Sequence, residues 1–233
     1  MGIEDAVAIL LVYFGMLFMS MVAHEYAHAW TATRAGDYTA WDMGRLTFNP
    51  LAHVDLFWTL IMPAVALWTG IPLICGPKPI PTNPYNYNNL IRDYRVVAGA
   101  GLVVNAGIAV VLAISLHVLT ALEVSLKSGA VTILGMVLLS NIMLMLFNLL
   151  PVPPLDGSRL VRTWLPDRWS DWFDRMDRWG FIVLIVLINI PGFFLFIYTT
   201  MSLIWVYVLQ LDPTIYRSAV NGYLSARDTL LGA

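Results

Sequence analysis

Apolar residues in this chain fall in long unbroken blocks, at residues 6–33, 54–74, 96–122, 129–150 and 181–210. A helix of about 20 residues crosses a bilayer, so each block is long enough to enter one. The pattern predicts an all-α polytopic membrane protein with about five or six membrane segments. The last block is interrupted by Pro191-Gly192, which allows either one tilted helix or two shorter helices in a hairpin. The second block holds Pro63 and runs into Gly76-Pro77-Lys78-Pro79. That suits a bent or re-entrant element, with an ordinary proline-kinked span as the alternative. Residues 158–180 alternate Arg, Asp and Trp and predict an amphipathic surface helix, and the tryptophans at block ends predict an interfacial belt.

Composition agrees with the blocks and removes several function classes. The chain is 59% hydrophobic and 12% charged, and 233 residues leave no room for a large soluble module beside the spans. One membrane-embedded domain over residues 1–233 is expected, with its core near 6–165. There is no basic run to hold nucleic acid. A single cysteine, Cys75, excludes an intrachain disulfide and a cysteine-based zinc site. No basic region precedes the first block, so that block is expected to remain in the mature protein.

The first block carries His24-Glu25-Tyr26-Ala27-His28 near its second end. Two histidines four apart lie on one helical face, one turn from each other, and can reach one metal ion. Glu25, beside the first of them, is placed to act as a general base. Ionisable side chains inside a membrane helix are costly and mark functional sites. A metal or ion transporter would also place His and Asp there, but the chain shows no inverted repeat.

Two histidines need a third ligand. Asp156 follows the fourth block in Asn148-Leu149-Leu150-Pro151-Val152-Pro153-Pro154-Leu155-Asp156-Gly157, where the prolines stop the helix. Two imidazoles and a carboxylate leave one tetrahedral position open, the catalytic arrangement of zinc. The competing role for Asp156 is to cap the segment after it. For His24, His28 and Asp156 to meet, an even number of full crossings must separate them, so residues 54–74 are expected to turn back. Charge placement agrees. With 54–92 returning, Arg34, Arg45, Lys78, Arg92, Arg95, Arg159, Arg162, Arg168, Arg175 and Arg178 share one side, against Lys127 on the other. Positive residues gather on the cytoplasmic side, which puts the motif end of this multi-pass protein there.

HExxH on one membrane helix with N-x-x-P-x-x-x-L-D-G on a later one resembles the site-2 protease family of intramembrane zinc metalloproteases. Asn148, Pro151, Leu155, Asp156 and Gly157 match every fixed position of the second motif. Ala100-Gly101-Leu102-Val103-Val104-Asn105 is similar to the family's A-G-P-x-x-N, with Leu102 where proline is usual, which implies a straighter helix. Gly44 to Pro50, His53 with Asp55, and Gly76 to Pro84 resemble the compact prokaryotic branch without PDZ or CBS domains. The resemblance implies a Zn2+ cofactor held by His24, His28 and Asp156, Glu25 as catalytic base, and hydrolysis of transmembrane segments of membrane proteins near the cytoplasmic side. Asn148, Asn105 and His53 are the candidates for substrate or oxyanion contacts. His53 reads either as support for the metal site or as a loop histidine bonded to a neighbouring carboxylate. His117, far from the motif, reads as structural. The proline-rich stretch 77–84 is a candidate partner for an extended substrate, although its prolines remove donors.

Overall fold

The computed structural model describes residues 2–69, 76–126, 128–166, 173, 175–176 and 179–232. Three of its helices are long and apolar enough to cross a membrane: α1 (Ile3–Arg34), α4 (Leu90–Ala121) and α5 (Gly129–Asn148). Their cores interlock through Tyr13, Leu17 and Met21 of α1, Leu112 and Leu116 of α4, and Met136 to Leu139 and Ile142 of α5. Large apolar residues also cover their outer faces, among them Leu11, Val103, Val111 and Ile114. Helices that are hydrophobic all round, with no water-compatible face, belong in lipid.

Between α1 and α4 the chain forms a short α2 (Thr39–Asp42), then a π-helical stretch, Leu56–Ile61, that runs into α3 (Met62–Thr69). Fourteen helical residues rise about 21 Å, short of the ~30 Å hydrocarbon core. The segment also comes back to where it began. The Lys78 N–H donates to His53 O at 2.8 Å, and the Thr59 hydroxyl donates to Gly76 O at 3.1 Å. The described residues 54–69 and 76–77 thus begin and end beside one another, the arrangement that a re-entrant path requires.

After α5 the proline run leads to α6 (Asp156–Arg162), which packs on α4. The Arg95 guanidinium ties these two, donating to Thr163 Oγ1 at 2.7 Å and to Thr163 O at 2.9 Å. Of the stretch 158–180 expected as a surface helix, residues 158–162 are helical within α6 and residues 173, 175 and 176 are helical as well; residues 167–172, 174, 177 and 178 lie outside the described residues. The last apolar block is two helices, α7 (Gly180–Ile188) and α8 (Phe193–Leu203), the latter continued by a π-helical turn to Val208. They bend by 74° at the break. Gly192 makes the bend with φ +89°, a left-handed conformation that glycine adopts without strain. Counted as one broken span, this pair brings the candidate crossings among the described residues to four.

One element has no counterpart among the apolar blocks. Helix α9 (Pro213–Leu231) is capped by Asp212, which accepts from the Thr214 N–H at 2.6 Å, and begins with proline in its first turn. It lies across α5 and α1, with Ile215 and Ala219 against Gly135 and Ala226 against Ala6 and Leu10. Small residues permit this close approach.

Candidate metal centre

Each ligand candidate comes from a different constraint. His24 and His28 are buried on one face of α1. Asp156 is brought to them by the turn after α5, and Gly157 makes that turn possible: a Cβ there would lie 2.2 Å from Leu149 O. The Asp156 carboxylate faces the histidines instead of capping α6. Asp156 Oδ2 is 3.1 Å from His24 Nε2 and 3.2 Å from His28 Nε2, and the two Nε2 atoms are 3.1 Å apart. Three electron-pair donors in so small a triangle share too few protons to satisfy one another. A cation resolves the conflict. Ligands about 2.0–2.2 Å from a tetrahedral zinc are about 3.3–3.6 Å from each other, close to the triangle observed.

The far sides of the rings are held as well. His28 Nδ1–H donates to Val97 O of α4 at 2.7 Å, which leaves the Nε2 lone pair turned toward Asp156. The Asn105 side-chain amide faces His24 Nδ1 at 3.1 Å, and its Oδ1 is buried with no partner among the described residues. Turned over, the amide would accept Nδ1–H through that oxygen and free the His24 Nε2 lone pair. Gly101 completes the pocket. A Cβ at this position would lie 2.3 Å from His24 Cε1 and 2.4 Å from Nε2, so α4 approaches α1 closely enough only with glycine here. Nothing in the helical pattern singles out Gly101; only its place in the Ala-Gly-Leu-Val-Val-Asn stretch points to it.

Glu25 lies beside the triangle, half-buried, and its Oε2 accepts from the Ile80 N–H at 2.9 Å. The extended segment that carries Ile80 is tied at both ends. On one side the buried Arg45 guanidinium donates to Ala52 O and Lys78 O, each at 2.5 Å. On the other, Asp37 accepts from the Asn83 N–H at 2.6 Å and from Asn86 Nδ2 at 2.9 Å. Burial alone would raise the Asp37 pKa, but hydrogen bonds from the Thr39 hydroxyl, Asn83, Asn86 and the Thr39 amide outweigh it and hold the carboxyl below its ordinary value.

The remaining named residues stand elsewhere. His53 is buried in the loop beneath Arg45 and donates through Nε2 to Thr47 O at 2.8 Å, not to a carboxylate. Asn148 turns back onto its own helix, donating to Leu144 O at 3.0 Å. His117 donates to Leu209 O at 2.8 Å at the opposite end of α4, where it joins α4 to the loop before α9. Helix α4 runs through Leu102 as one continuous helix.

Comparison with known proteins gives the family. The model of peptidase family M50 matches residues 115–188, which include Asp156 but not the histidine pair. "Putative zinc metalloprotease YwhC" of Bacillus subtilis (strain 168) is 34% identical over 180 residues, covering 75% of this chain and 78% of the relative. "Putative zinc metalloprotease Rip2" of Mycolicibacterium smegmatis (strain ATCC 700084 / mc(2)155) is 29% identical over 175 residues, covering 75% of this chain and 65% of the relative. No solved structure matches. These likenesses favour hydrolysis over ion transport, and this multi-pass membrane chain belongs to peptidase family M50, the site-2 protease family of zinc metalloproteases.

Proposed function

We propose that this protein is an intramembrane endopeptidase that cuts transmembrane segments of other membrane proteins near the cytoplasmic face of a prokaryotic cell membrane. The observation that carries this is the buried triangle of His24, His28 and Asp156 with the Glu25 carboxylate on the same helix end. Its donors, two imidazole nitrogens and a carboxylate oxygen, are those of a catalytic zinc site with one position open. Zinc held by His24, His28 and Asp156 would supply Lewis-acid polarisation of the scissile carbonyl and a more acidic attacking water. Glu25 takes that water's proton and delivers it to the leaving amine. Val97 O fixes the His28 imidazole, and the Asn105 amide, once turned over, fixes that of His24, which keeps both Nε2 lone pairs on one point. The site's depth fits a substrate bond that is itself within the bilayer, where a helix must first be unwound. The basic residues of the site-bearing side support a cytoplasmic orientation.

The test is Glu25→Gln in the full chain, purified in detergent or reconstituted in vesicles, with a reporter protein whose transmembrane segment is the substrate. Zinc content is expected to stay near one equivalent while cleavage is lost. Cleavage that survives the substitution overturns the reading.

A further inference from the structure

The sequence Pro79-Ile80-Pro81 leaves a single backbone N–H in three residues, since proline has none. That one donor is spent on Glu25, at 2.9 Å from Oε2. Extended backbone ordinarily satisfies its N–H groups on a neighbouring strand, yet the described residues contain no strand and this segment pairs with none. It is suspended between ties at its two ends: the Arg45 side chain and the His53 carbonyl hold Lys78, and the Asp37 side chain holds Asn83. Ile80 sits midway between the two ties. Tyr26, next to Glu25, stacks on Phe48 with ring centroids 4.0 Å apart, which fixes the loop bearing Arg45 to the same helix.

We propose that the Ile80 N–H is a positioning donor for the general base, and that Arg45 and Asp37 anchor the strap that presents it. This rests on Glu25 being the base. A glutamate on a helix surface samples several rotamers. A hydrogen bond to one oxygen selects the rotamer that leaves the other oxygen free for the water proton. The donor is fixed in chain position because both flanking residues are proline, so no register slip offers Glu25 a different N–H.

The experiment uses the full-length protein and two substitutions at one site. Ile80→Ala removes the side chain and keeps the donor; Ile80→Pro removes the donor. A hydrogen bond to a charged acceptor contributes about 1.5–3 kcal/mol, about 10- to 100-fold in rate. The kcat of Ile80→Pro is therefore expected about 10- to 100-fold below that of Ile80→Ala, with KM similar in both and zinc content unchanged. Equal kcat values overturn the proposal, as does a rise in KM alone, which would make the N–H a substrate contact. Hydrogen exchange gives a readout free of activity and of the proline substitution's folding. In a peptide covering residues 77–82, Ile80 and Thr82 carry the amides that retain label, and Glu25→Ala is expected to speed exchange at Ile80 about tenfold or more. Unchanged exchange there also overturns it. Cleavage surviving in Glu25→Gln would instead remove the assignment of the base while exchange still reports the contact.

Discussion

Gly101→Ala is the smallest change expected to disable the centre, because it adds one methyl group and replaces no ligand. The new Cβ would stand 2.3 Å from His24 Cε1, 2.4 Å from Nε2 and 2.6 Å from Nδ1. Carbon contacts settle near 3.5 Å, so the imidazole must retreat by about 1.2 Å or α4 must back away from α1. The ring cannot retreat freely: Asn105 meets it on one side, and His28 and Asp156 on the other. Metal sites tolerate ligand displacements of only about 0.2 Å. Ring movement therefore removes a ligand, and metal affinity should fall at least 100-fold, beyond the 10- to 100-fold typical of losing a supporting contact. If α4 moves instead, overpacking costs about 1–3 kcal/mol of stability, and the 2.7 Å bond from His28 to Val97 O lengthens as well. Zinc retention during titration with a chelator, reporter cleavage and thermal unfolding in detergent separate the two routes. Gly107→Ala on the same helix is the control, because its Cβ meets nothing within 4 Å. It should keep activity and gain some stability from better helix propensity. A Gly101→Ala protein that binds zinc as tightly and cleaves as fast as the wild type would refute the reasoning.

Gly157→Ala should act on the opposite ligand, since its Cβ would collide with Leu149 O at 2.2 Å and Leu150 O at 2.5 Å; the expected loss of zinc affinity is at least about tenfold, read by chelator competition. Asn105→Ala should weaken zinc about 10- to 100-fold while leaving the histidines in place, and equal affinity would show that His24 needs no partner. The Asp37 tie should depend on pH. Its folded-state pKa is depressed from 3.8, so its contribution is present at neutral pH and is lost as the pH falls below that value; exchange at the Asn83 amide should rise there, and Asp37→Asn should abolish that rise. For topology, single cysteines at the exposed Tyr38 and Tyr85, in a Cys75→Ser background, should be labelled from one side of the membrane and a cysteine at Glu123 from the other. Labelling Tyr38→Cys and Tyr85→Cys from opposite faces would make residues 54–77 a true crossing.

What could be read in advance divides along a physical line. The spans were legible because a bilayer demands long apolar blocks. The histidine pair was legible because one helical turn is a fixed spacing, and Asp156 because three prolines and a glycine mark a break whatever surrounds it. The re-entrant path followed from the need to bring two motifs to one side, and the bond between Lys78 and His53 O now supports it with geometry. Helix α9 went unread because it is amphipathic and short of apolar length, so the span criterion passes over it; Asp212-Pro213 was the one local signal of its start. The roles of Gly101, Arg45 and Asp37 had no such signal. Each acts across the fold, Gly101 by what it omits and the other two by holding carbonyls and amides of a segment that forms no ladder. Regular structure repeats its pairing from residue to residue and so leaves a period in the sequence. A strap held by side chains has no period. Its one regularity is negative, the two prolines that flank Ile80 and leave its N–H alone between them to face Glu25, and that is why the candidate site's most informative contact lies in its least regular segment.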